Sequence, residues 1–137
     1  MRTKTTAAPG LGPVAFLAAL SLCALVPLKA HADGHGEIVT AMTHADLAGK
    51  AADIDGVHMH LHHALNCLVG PSGAGYDAKQ MNPCANAGNG AIPDTADAAK
   101  KAALQEAAKS AAAGIAETDV AKAKADAAAA ASKLMAL

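Results

Sequence analysis

Large apolar residues are distributed unevenly along this chain: dense from Val14 to Val26, periodic from His44 to Leu68, and sparse beyond. The dense run includes Phe16, Leu17, Leu20, Leu22 and Leu25, follows Arg2 and Lys4, and gives way to Ala30-His31-Ala32. A positive start, an apolar core and small residues at −3 and −1 predict a secretory signal peptide over residues 1–32, cut after Ala32. The run is shorter than the roughly 20 residues a spanning helix needs, and Pro27 and Lys29 close it, so no stable membrane anchor is expected. Cys23 follows Leu22 rather than a small residue, which argues against lipidation there. This feature predicts a periplasmic or secreted protein.

In the periodic region Leu47, Ile54, Leu61 and Leu68 recur every seven residues, with Val57 and Leu65 between them. At about 100° per residue these six side chains share one stripe, which predicts a single amphipathic helix over 44–68. Thr43 or Asp46 is placed to cap its start, and Gly70-Pro71 to end it. Residues 33–43 are short, polar and Gly-containing and read as a flexible lead. From 69 to 93 the turn signals Pro71-Ser72-Gly73, Asn82-Pro83 and Asn89-Gly90 predict a loop. Asp94 or Thr95 then opens an Ala-rich helix stopped by Gly114, and Glu117-Thr118-Asp119 opens another, ending near Met135. The expected architecture is all-α, a small Ala-rich bundle of about three helices in a single domain over 44–137.

Composition adjusts this picture in two ways. Cleavage after Ala32 leaves 105 of the 137 residues and takes three of the 11 basic residues but none of the 12 acids, for a net charge of −4. With one Tyr, no Trp and no basic cluster, nucleic acid is not an expected partner. Alanine confers helix propensity but little area to bury, so the core is expected to be thin. Cleavage also removes Cys23, leaving Cys67 and Cys84. An even pair in an oxidising compartment predicts a disulfide closing the Gly/Pro-rich loop.

The densest chemistry is His58-Met59-His60-Leu61-His62-His63. His58 and His62 are four apart, so both imidazoles leave one helical face and can share a metal. Met59 and His63 form a second such pair. On the wheel of one continuous helix His44, Asp55, His58 and His62 group together, with Asp55 placed to accept an imidazole N–H. His60 falls away from this group and reads as solvated. Neutral imidazole suits zinc, copper and nickel, and a thioether moves the preference towards copper(I).

A cut after Ala32 would also expose Asp33-Gly34-His35 as the amino terminus. A free amine, two backbone amides and a third-position imidazole resemble the amino-terminal Cu(II)/Ni(II) motif of serum albumins, over these three residues only. Such a motif implies a square-planar site, the geometry those ions prefer.

Other chemistry is not legible. The chain has no Cys-x-x-Cys-His, no phosphate-loop context around Gly70–Gly75, and no Ser-His-carboxylate arrangement. Asp53 and Asp55 diverge on a helix, so they do not make a paired-carboxylate site. The expected function is therefore exported, non-enzymatic metal binding for sequestration or delivery, copper before zinc or nickel. The alternative is an envelope protein that docks a protein partner or a second copy of itself, with its histidines as a solvated or pH-sensitive face.

Overall fold

The computed structural model describes residues 34–137. The segment assigned to the signal peptide, and Asp33 of the terminal motif, lie outside the described residues. All regular structure in 34–137 is helical: α1 His35–Lys50, α2 Ile54–Val69, α3 Ala91–Asp94, α4 Ala98–Ala116 and α5 Val120–Met135.

The helices number five rather than three, and the largest departure lies at 51–53. The expected helix over 44–68 is two helices with a sharp reversal between them. Ala51 is extended, and the Asp53 carboxylate accepts from Gly56 N–H as the N-cap of α2. A local side-chain bond of this kind satisfies a helix-start donor and competes with continuing the preceding helix. The heptad spacing runs across the break by coincidence. Val57, Leu61, Leu65 and Leu68 are buried from α2, whereas Leu47 of α1 is 40% exposed.

Nor is 35–43 a lead: it forms the first half of α1. Ile38, Ala41, Ala45 and Ala48 are buried along one face at spacings of three and four. Three of those four are alanines, so the face carries almost no hydrophobic contrast and is invisible to a search for large side chains.

Around the bundle α1 packs on α2 and α5, α2 on α4, and α4 on α5, while α2 and α5 face one another across the diagonal. Alanine makes this closure possible. Ala41, Ala45 and Ala48 of α1, and Ala123, Ala127 and Ala130 of α5, are fully buried. Small side chains let helix axes approach, so burial is gained through close contact rather than through bulk. Leu61, Leu68, Leu104 and Val57 fill the centre. Asp97 and Asp119 cap α4 and α5 by accepting from Lys100 N–H and Lys122 N–H. Gly114 lies inside α4 rather than stopping it. A Cβ there would press on Leu61 Cδ1 and the Ala123 carbonyl, so its role is close approach between helices.

The long connection from α2 to α4 is stapled as the cysteine count predicts. Cys67 and Cys84 form a disulfide with Cα atoms 5.2 Å apart. Beside it the buried Asn66 holds the loop from within. Its Nδ2 donates to the carbonyls of Asp77, Gln80 and Met81, and its Oδ1 accepts from Asp77 N–H at 2.9 Å. Gly70 ends α2 at φ 67°, and a Cβ there would overlap the Asn89 carbonyl, so the two ends of the loop meet backbone to backbone.

Candidate metal centre

The reversal at 51–53 lays α2 antiparallel beside α1 and brings His44 opposite the histidine-rich turn of α2. His60 and His63 are three apart and share the α1-facing flank of α2. One potential ligand atom from each of His44, His60 and His63 falls within 4.8 Å of the other two. The ring centroids are 5.5 Å apart for His44–His60, 5.0 Å for His44–His63 and 6.0 Å for His60–His63. His44 and His60 are half-buried, and His63 is buried.

Two Nδ1 atoms, of His44 and His60, stand 3.3 Å apart. In the metal-free protein one ring donates an N–H and the other accepts, so both cannot be protonated at Nδ1. The same separation matches the edge of a tetrahedron about an ion with N ligands at ~2.0–2.1 Å, roughly 3.3–3.4 Å. A square-planar ion would need a shorter edge between neighbouring ligands, roughly 2.8–3.0 Å at those bond lengths. His63 Nδ1 is buried with no hydrogen-bond partner among the described residues. Burial of an unpaired polar atom is costly, and coordination is one way to satisfy it.

Electrostatics agree with the geometry. His44 is held below the ordinary imidazole value of 6.5, first by burial and then by the neighbouring His63 and His60. His63 is lowered by burial and then by His60 and His62. Withdrawal from water and crowding of like groups both disfavour the imidazolium, which keeps lone pairs available near neutral pH.

The other histidines of the run have different neighbours. His58 Nε2 donates to the Glu117 carbonyl at 2.8 Å, closing the C-terminal end of α4. His62 Nδ1 lies 3.8 Å from Asp77 Oδ2, in the stapled loop. His58 and His62 are therefore engaged with α4 and the loop and stand outside the His44–His60–His63 group, although His62 is close enough to His63 to act on it electrostatically. Asp55 is exposed in the first turn of α2. Met59 is 42% exposed, one turn before His63. His35 is exposed at the first position of α1, and the preceding Gly34 is buried against Ala91 and Thr95 of the α3 region.

His60 is the residue that reasoning along one continuous helix sets aside as solvated. Placed on α2 alone it belongs with His63. The signal that would have found it is Asp53 three residues before Gly56, an N-cap pattern that ends the reading through from His44.

Comparison of the chain with family models, curated proteins and solved structures finds no match.

Proposed function

We propose that this chain is a small, exported, non-enzymatic metal-binding protein whose site is His44, His60 and His63. The observation that carries this reading is the convergence of three imidazoles from two helices, with one nitrogen pair at 3.3 Å. Three neutral imidazoles with a tetrahedral edge suit copper(I) or zinc(II) better than square-planar copper(II) or nickel(II). Met59, exposed and four residues before His63 on α2, is the soft thioether nearest in register, and its recruitment would favour copper(I). Export is supported by the Cys67–Cys84 bridge, a linkage that persists in oxidising compartments. The described residues contain no helix long and apolar enough to cross a membrane. Any capture of Cu(II) at Asp33-Gly34-His35 would be a second and separate site, dependent on cleavage after Ala32.

Competition titrations with copper(I) and zinc(II), on protein starting at Asp33 and on protein carrying one extra N-terminal residue, test this reading. One ion is expected per chain, independent of the extra residue. Loss of an inner ligand by His60→Ala should weaken binding by about 100-fold or more. His58→Ala and His62→Ala should change it by less than about threefold. Equal effects of all three substitutions would overturn the assignment. In the second reading, a docking protein with a histidine face, none of these proteins would bind an ion stoichiometrically.

A further inference from the structure

On the opposite side of α2 from the three histidines lies a cleft of about 710 Å³. It owes its existence to small residues. α4 presents Ala108 and Ala112 to it, and the stapled loop presents Gly73, Ala74 and Gly75, so nothing large fills the space in front of Leu65, Val69 and Ile92. Its walls are tied down, by the Cys67–Cys84 disulfide and Asn66 on the loop side and by the backbone contact of Gly70 with Asn89. A cavity of this size, largely apolar and formed in advance, has the character of a small-molecule site.

The charged groups that line it are of one sign. Lys101, Gln105 and Lys109 follow one another at four-residue spacing along α4, and no Asp or Glu lines the cleft. Lys109 is occupied by Glu106 at 2.6 Å. Lys101 is half-buried and has no acidic partner among the described residues. A half-buried lysine lining an apolar cleft can lay its stem on apolar surface and offer its ammonium to an anionic head above an apolar body.

We propose that this cleft binds a small amphipathic carboxylate, its aliphatic chain against Leu65, Val69 and Ile92 and its carboxylate on Lys101. The site is independent of the metal reading, since it shares no side chain with the histidine centre.

Calorimetric titration of the disulfide-bonded protein with decanoate, below its micelle-forming concentration, tests this, with 1-decanol as the uncharged comparison. Decanoate should saturate one site and bind more tightly than 1-decanol. Lys101→Gln should weaken decanoate about tenfold and leave 1-decanol unchanged, because only the charge-assisted contact is lost. Ala112→Leu, an exposed position whose new side chain would occupy the cleft, should weaken both ligands; circular dichroism checks that both variants keep their helices. Absence of saturable decanoate binding, equal affinity for 1-decanol, or indifference to Ala112→Leu would each overturn the proposal. Sedimentation with phosphatidylglycerol vesicles in the absence of saturable decanoate binding would overturn it as well, assigning the lysine edge to a lipid surface.

Discussion

His44 Nδ1 and His60 Nδ1 face each other 3.3 Å apart across the seam between α1 and α2, joined through the reversal capped by Asp53. Because the two rings come from different helices, an ion held by both is a cross-link of the folded state and has no equivalent in the unfolded chain. At a free concentration 100 times its Kd, such an ion adds about 2.7 kcal/mol of stability. For a domain of this size that corresponds to a rise in melting temperature of about 10–20 °C. Thermal scans with and without zinc(II) or copper(I) should show the rise, EDTA or a copper(I) chelator should abolish it, and His44→Ala should remove it.

Acid should weaken the metal-free protein through the same residues. Burial and neighbouring imidazoles lower the folded-state values of His44 and His63 below 6.5. Well above pH 6.5 both rings are neutral in either state, and their contribution is intact. As pH falls below 6.5 the unfolded chain takes up protons that the fold resists, and the contribution is lost progressively until the folded values are passed. Urea midpoints should fall between pH 7 and pH 5, and the fall should shrink in His44→Asn/His63→Asn. An undiminished fall in that double variant would place the titration elsewhere.

Glu37 works in the opposite sense. Its side chain is fully buried, its Oε1 accepts from Gly90 N–H at 3.2 Å, and its Oε2 has no hydrogen-bond partner among the described residues. Burial, and then the nearby Asp94 carboxylate, raise its value above the ordinary 4.5, against the lowering effect of the Gly90 contact. The stabilisation of the neutral acid is fully present below pH 4.5 and is lost as pH rises through the folded value. Glu37→Gln keeps an acceptor for Gly90 and cannot ionise. Its urea midpoint relative to wild type should therefore improve from pH 4 to pH 8; a constant difference would show that Glu37 titrates alike in the folded and unfolded chain.

Reducing the Cys67–Cys84 bridge should cost about 3 kcal/mol on the chain-entropy account of a 17-residue separation. Denaturant melts of Cys67→Ser/Cys84→Ser against the oxidised wild type measure it. Neither sulfur belongs to the His44, His60 and His63 group, so the double variant should still bind the ion under native conditions.

Asn66 should matter nearly as much, although no motif marks it. Replacing it with alanine strips the 72–81 segment of the amide that bonds Asp77 on both sides and leaves half-buried backbone groups without these partners. The expected loss is about 2 kcal/mol, with faster amide exchange at Asp77. Asn66→Asp, which keeps the acceptor and loses the donor, should recover only the Asp77 N–H protection.

What the amino-acid order determined by itself was local chemistry: helical class from apolar periodicity and alanine content, the end of α2 at Gly70, the opening of α5 within Glu117-Thr118-Asp119, and the single possible partner for Cys67 in the described chain. Each depends on neighbours in sequence or on a count. The number of helices was hidden because the heptad Leu47–Ile54–Leu61–Leu68 keeps its spacing across a reversal, and because the buried face of α1 is mostly alanine. Tertiary structure alone decided which histidines meet. One continuous helix groups His44 with His58 and His62; two antiparallel helices turn His44 towards His60 and His63 and leave His58 to close α4. Periodicity reports angles about one axis, and a ligand cluster shared between two axes depends on how they pack.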